Sequence, residues 1–77
     1  MNRETKKLAT VLRNYGKKLL PFAKNVEVTE TIGILWFGFD RTFFGGKTAR
    51  YSTPIGTADM GTDYLKSQVR AFCDSFS

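Results

Sequence analysis

Leu8, Leu12, Tyr15, Leu19 and Phe22 recur at alternating spacings of four and three, with Val11 alongside, and form one apolar stripe of an amphipathic helix. Pro21 has no N–H for an internal helix bond, so this helix is expected to end or kink near Leu20, and Gly16 weakens it from within. Val26 to Thr31 alternates apolar and polar positions and predicts a strand. Ile32 to Phe39 is rich in β-formers and predicts a central strand. Phe44-Gly45-Gly46-Lys47 supplies a tight two-residue hairpin turn, because Gly-Gly accepts positive φ. Lys47 to Thr53 then returns antiparallel until Pro54 stops it. Thr62-Asp63 offers an N-cap to a last helix that places Leu65, Val69, Phe72 and Phe76 on one face.

The predicted order, α-β-β-β-α, is that of a small single α+β domain spanning residues 1–77, with helices packed on a three-stranded antiparallel sheet. Its expected core is Leu8, Leu12, Leu19, Leu35, Phe37, Phe39, Leu65, Val69 and Phe72. Leu35, Phe37 and Phe39 point to one side of the central strand, and Ile34, Trp36 and Gly38 to the other. Two helices cover one sheet face well. Trp36 is therefore either core, under a helix on the second face, or part of an exposed face open to a partner or to a second copy of the chain.

Seven Phe, three Tyr and one Trp in 77 residues give enough large apolar area for a thin but sufficient core. One cysteine, Cys73, cannot make an internal disulfide, which points to a reducing, cytoplasmic compartment. No apolar run approaches a membrane span, and the N-terminus lacks an apolar signal-peptide core. A basic amphipathic helix can lie on a membrane surface, but membrane binding is not the favoured expectation.

Catalysis is not expected. The chain has no histidine to titrate near neutral pH or to activate Cys73, and one cysteine without histidine cannot close a zinc site. No cofactor is expected either. Glu27 and Glu30, three apart on a strand, face opposite sides. Gly45-Gly46-Lys47-Thr48 has the look of a phosphate loop, but Arg41 stands where the required earlier glycine belongs, and a strand follows instead of a helix.

Charge is the most specific feature. Seven of the twelve Lys and Arg lie in the first 24 residues against one acid, Glu4, whereas the other 53 residues hold five basic and six acidic side chains. At about 100° per residue, Arg3, Lys6, Arg13, Lys17 and Lys24 fall within one arc, opposite the Leu8/Leu12/Tyr15/Leu19 stripe. Few acids are interleaved with them, so the helix forgoes the Glu-Lys pairs that a merely solvated face gains. A continuous positive ridge attracts phosphates or an acidic protein surface. Arg41 and Arg50 flank the hairpin near Phe43 and Phe44, a combination suited to base stacking, to a protein hot spot or to cross-strand support.

The element order resembles that of the double-stranded-RNA-binding domain. That family places a lysine cluster at the start of its last helix; here Thr62-Asp63-Tyr64-Leu65 stands there and the positive ridge lies on the first helix, so the likeness is one of element order. Two function classes remain. The favoured one is a small inhibitor or adaptor, of the kind many viruses encode against host defence, docking on an acidic surface of a nucleic-acid-handling protein or nucleoprotein complex. The alternative is direct nucleic-acid binding through the ridge. The expected partner-binding residues are Arg3, Lys6, Arg13, Lys17, Lys24, Trp36, Arg41, Phe43 and Arg50.

Overall fold

Asn2 caps the first helix: its side-chain oxygen accepts from the Thr5 N–H at 2.8 Å, and Glu4 complements the positive end of the helix dipole. In the computed structural model, which describes residues 1–76, this helix, α1, runs Arg3–Leu19. It is followed by β1 (Lys24–Thr31), β2 (Ile34–Thr42), β3 (Thr48–Gly56), a 3-10 turn (Ala58–Met60) and α2 (Thr62–Asp74). The strands form one antiparallel sheet in the order β1-β2-β3. The expected α-β-β-β-α order is thus the observed one.

The connections differ from the expected ones. Ile32 does not begin the central strand. It forms with Gly33 a two-residue hairpin turn, at φ 52° and 75°, between the paired residues Thr31 and Ile34. The second hairpin is longer than expected. Phe43 donates its N–H to the Lys47 carbonyl and accepts from Gly46, leaving a three-residue tip in which Gly45 and Gly46 both hold positive φ. Pro54 does not end β3. It sits opposite Trp36 on an edge strand, where its missing N–H costs no ladder bond, and β3 continues to Gly56 through a bulge that turns Ile55 into the core. The cap of α2 is Gly61 at φ 91°, so Thr62 is the first helical residue.

Both helices lie on the sheet face of Leu35, Phe37 and Phe39, all fully buried. Around these pack Leu12, Leu20, Val26, Ile55, Leu65, Val69 and Cys73. Phe72 and Phe76 meet Phe39 edge-on, with ring centroids 6.0 and 5.1 Å away. Leu8, Leu19 and Phe72, expected in the core, are only partly buried at its margin. For Leu8 and Leu19 the reason is that α1 seats itself through small residues. Its buried positions are Thr5, Ala9, Leu12 and Gly16, a direction rotated by roughly 60° from the stripe of large apolar residues. A methyl group on Gly16 would stand 2.3 Å from the Phe37 ring, so the glycine that weakens the helix in sequence terms is what lets it approach the sheet. Phe22 lies beyond the helix and is partly exposed. Trp36 is on the opposite, helix-free face and is half-buried, outside the core.

Candidate docking surface

The rotation of α1 decides where its cations go. With Thr5, Ala9 and Gly16 against the sheet, Lys6, Arg13 and Lys17 lie about a quarter-turn away, on one flank of the helix. Lys6 and Arg13 line an open groove of about 470 Å³ whose other wall is Asn25–Val28 of β1. Arg3, Lys6, Arg13, Lys17 and Lys24 are all exposed, and among the described residues none has an acidic side-chain partner. The direction pointing straight away from the sheet belongs to Lys7, Asn14 and Lys18, with exposed Val11 beside them.

A second cluster forms where α1 ends, β1 begins and the β2–β3 hairpin turns. The Arg41 guanidinium carbon lies 4.6 Å from the centre of the Phe22 ring and 5.2 Å from that of Phe43, so one cation touches two partly exposed aromatics. Phe44, at the hairpin tip, is fully exposed beside Lys47. Lys17 and Lys18 occupy the last turn of α1, and Lys24 opens β1 opposite Asp40. Four of the expected residues, Lys17, Lys24, Arg41 and Phe43, thus gather at this end. Arg3, Lys6 and Arg13 extend from it along the flank of α1.

Trp36 and Arg50 belong to neither cluster. Arg50 lies across Gly38 on the helix-free face, with Nη2 3.0 Å from where a Gly38 Cβ would be. Its Nη1 donates to Asp40 at 3.1 Å and to the Asn25 carbonyl at 3.0 Å, and its Nη2 donates to Glu27. Asn25 holds φ at 51°, a left-handed conformation that asparagine tolerates, at the bulge opening β1, and from there its amide donates to Asp40 at 2.8 Å. The Asn25 amide first and the Arg50 guanidinium second hold the Asp40 carboxyl below the usual carboxylate range. Arg50 therefore serves an ion-pair network across three strands, and with Glu27 and Asp40 beside it this face carries no excess positive charge.

Sequence reasoning did not place Phe22 or Lys47 in this cluster, and it named Phe44 beside the hairpin arginines without counting it among the expected binding residues. Counting Phe22 into the helix stripe hid it, although Pro21 already implied that the helix stops before it. Among the described residues no group of three acidic, cysteine or histidine side chains converges on a metal position. Burial, with a smaller effect from Asp74, pushes the Cys73 thiol up to about 11, so it is an inert core residue. No helix in the described residues is long and apolar enough to cross a membrane. Comparison with protein-family models, with curated proteins and with solved structures finds no match.

Proposed function

We propose that this chain is a non-catalytic binding protein, an inhibitor or adaptor that docks on an acidic surface of a protein or nucleoprotein complex. The observation that carries the reading is the grouping of exposed aromatics with cations that have no acidic partner among the described residues. Arg41 lies against Phe22 and Phe43, Phe44 projects beyond them, and the Lys6–Arg13–Lys17 flank runs into the same end. Arginine and aromatic side chains that lose water together are the usual anchors of protein interfaces, and a cationic rim speeds encounter with an acidic partner.

The helix-free sheet face supports a protein partner over a nucleic acid. A sheet that stacks bases presents aromatics in a positive field. Here that face offers one Trp, and its arginine is neutralised by Glu27 and Asp40. The test is a salt titration with duplex DNA as the probe. Weak binding is expected. Binding whose log–log salt slope approaches about −3.6, the value for roughly four neutralised phosphates, would overturn the protein-docking reading in favour of direct nucleic-acid binding.

A further inference from the structure

We infer that the partner presents an extended acidic segment, which adds to the free edge of β1 as a fourth antiparallel or parallel strand beneath the basic flank of α1. This rests on the docking reading above and specifies its partner.

The two sheet edges are not equivalent. β3 carries Pro54 in its interior, which removes one N–H from that strand and blunts its outer edge. β1 has no proline, and alternate residues along it leave N–H and C=O groups without a strand partner on the outer side. The groove of about 470 Å³ lies along this edge, within the size range of sites that take small ligands or short segments. Val26 and Val28 make its apolar floor, Ala9 keeps the helix wall low, and Lys6 and Arg13 overhang it.

Charge selects the occupant. Glu27 is held by Arg50, and Glu30 faces the N-terminal ammonium at 4.0 Å. The unbalanced charges at the groove are therefore the two cations of α1. An added strand would point every second side chain toward that flank. Lys6 and Arg13, seven residues apart, are separated by about 10 Å along the helix. Strand residues two and four apart are separated by about 7 and 14 Å. The cation spacing falls between these two values, so acidic residues at alternate positions, with β-branched residues between them, bring carboxylates within reach of the long Lys6 and Arg13 side chains. Strand addition with alternate side chains read by pockets is a known recognition mode.

The test uses synthetic peptides of about ten residues with Asp at alternate positions and Val or Thr between, read by fluorescence anisotropy. Two further versions carry backbone N-methyl groups, one on the Asp positions and one on the Val/Thr positions. These keep every charge and block hydrogen bonding along one edge each. Strand addition predicts that one methylated version loses about tenfold or more in affinity while the other stays close to the parent peptide. It also predicts that K6E/R13E, its fold verified by circular dichroism, weakens binding of the parent peptide by a similar factor. If both methylated versions bind like the parent peptide and K6E/R13E still loses affinity, strand addition is overturned and charge-driven docking survives. If K6E/R13E binds as well as the original chain, both readings fall at this flank. If no peptide binds, strand addition is overturned, and charge reversal of Lys6, Arg13 and Lys17 tested by capture from lysate decides the wider docking reading.

Discussion

Gly16→Ala is a change whose sign separates secondary-structure propensity from packing. In an exposed helix interior, glycine to alanine is worth about 1 kcal/mol of stabilisation. Here the new Cβ would fall 2.3 Å from Cε2 and 2.4 Å from Cζ of Phe37. That ring is fully buried, with Phe39 tilted against it at 6.3 Å and Phe72 edge-on at 6.1 Å, so it has no free space to yield. Either the ring leaves its rotamer or α1 lifts from the sheet, and overpacking of this kind costs about 1–3 kcal/mol or more. After the propensity gain is offset, the net effect is a loss of up to about 2 kcal/mol, or up to roughly 16 °C in Tm for a domain this size. Urea denaturation followed by circular dichroism measures it, with an unchanged slope showing that only stability has moved. In a Phe37→Leu background the penalty should shrink, giving a coupling above about 0.5 kcal/mol between the two sites. A Gly16→Ala protein that is more stable than the parent would refute the helix–sheet contact described here.

Two other predictions concern the β1–β2 turn and the ion-pair network around Arg50. Ile32 is 95% exposed and holds φ at 52°, which a β-branched residue adopts only at a cost, so Ile32→Asn should stabilise by about 1 kcal/mol in thermal or urea melts. A destabilised variant would place this turn elsewhere. Asp40 has its folded pKa held below the ordinary value by Asn25 and Arg50, so the stability it contributes is present above about pH 4 and is lost as pH falls through the lowered value. Asp40→Asn should flatten that part of an acid titration of stability, and an unchanged acid limb would show that the network does not form.

The element order was legible because each signal was local. The stripe of α1, the alternation in β1 and the run of Leu65, Val69 and Phe72 each reflect one period of one element. The angle at which α1 docks was not legible. Large apolar residues dominate a sequence pattern, whereas close approach depends on Thr5, Ala9 and Gly16, whose smallness matters only once Phe37 is opposite. That rotation moved Lys6 and Arg13 from the far side of the helix to the flank beside β1, and so created the groove. Pro54 misled for a related reason: proline ends a central strand but not an edge strand, and strand order is a tertiary fact. Cross-strand support was one of the readings open to Arg50, but its partners Glu27 and Asp40, distant in sequence, are set only by the register of three strands.

An ion-pair network on one sheet face and unpartnered cations on the α1 flank give the surface a clear division, and charge reversal on the flank tests it most directly. Lys6, Arg13 and Lys17 are exposed, so K6E/R13E/K17E should fold with stability close to the parent. Parent and variant are immobilised, exposed to lysate with and without nuclease, and the captured proteins are quantified by mass spectrometry. A specific set of proteins is expected to bind the parent, survive nuclease and be lost from the folded variant. The same proteins captured equally by parent and variant, or a set that disappears on nuclease treatment, would contradict the docking reading.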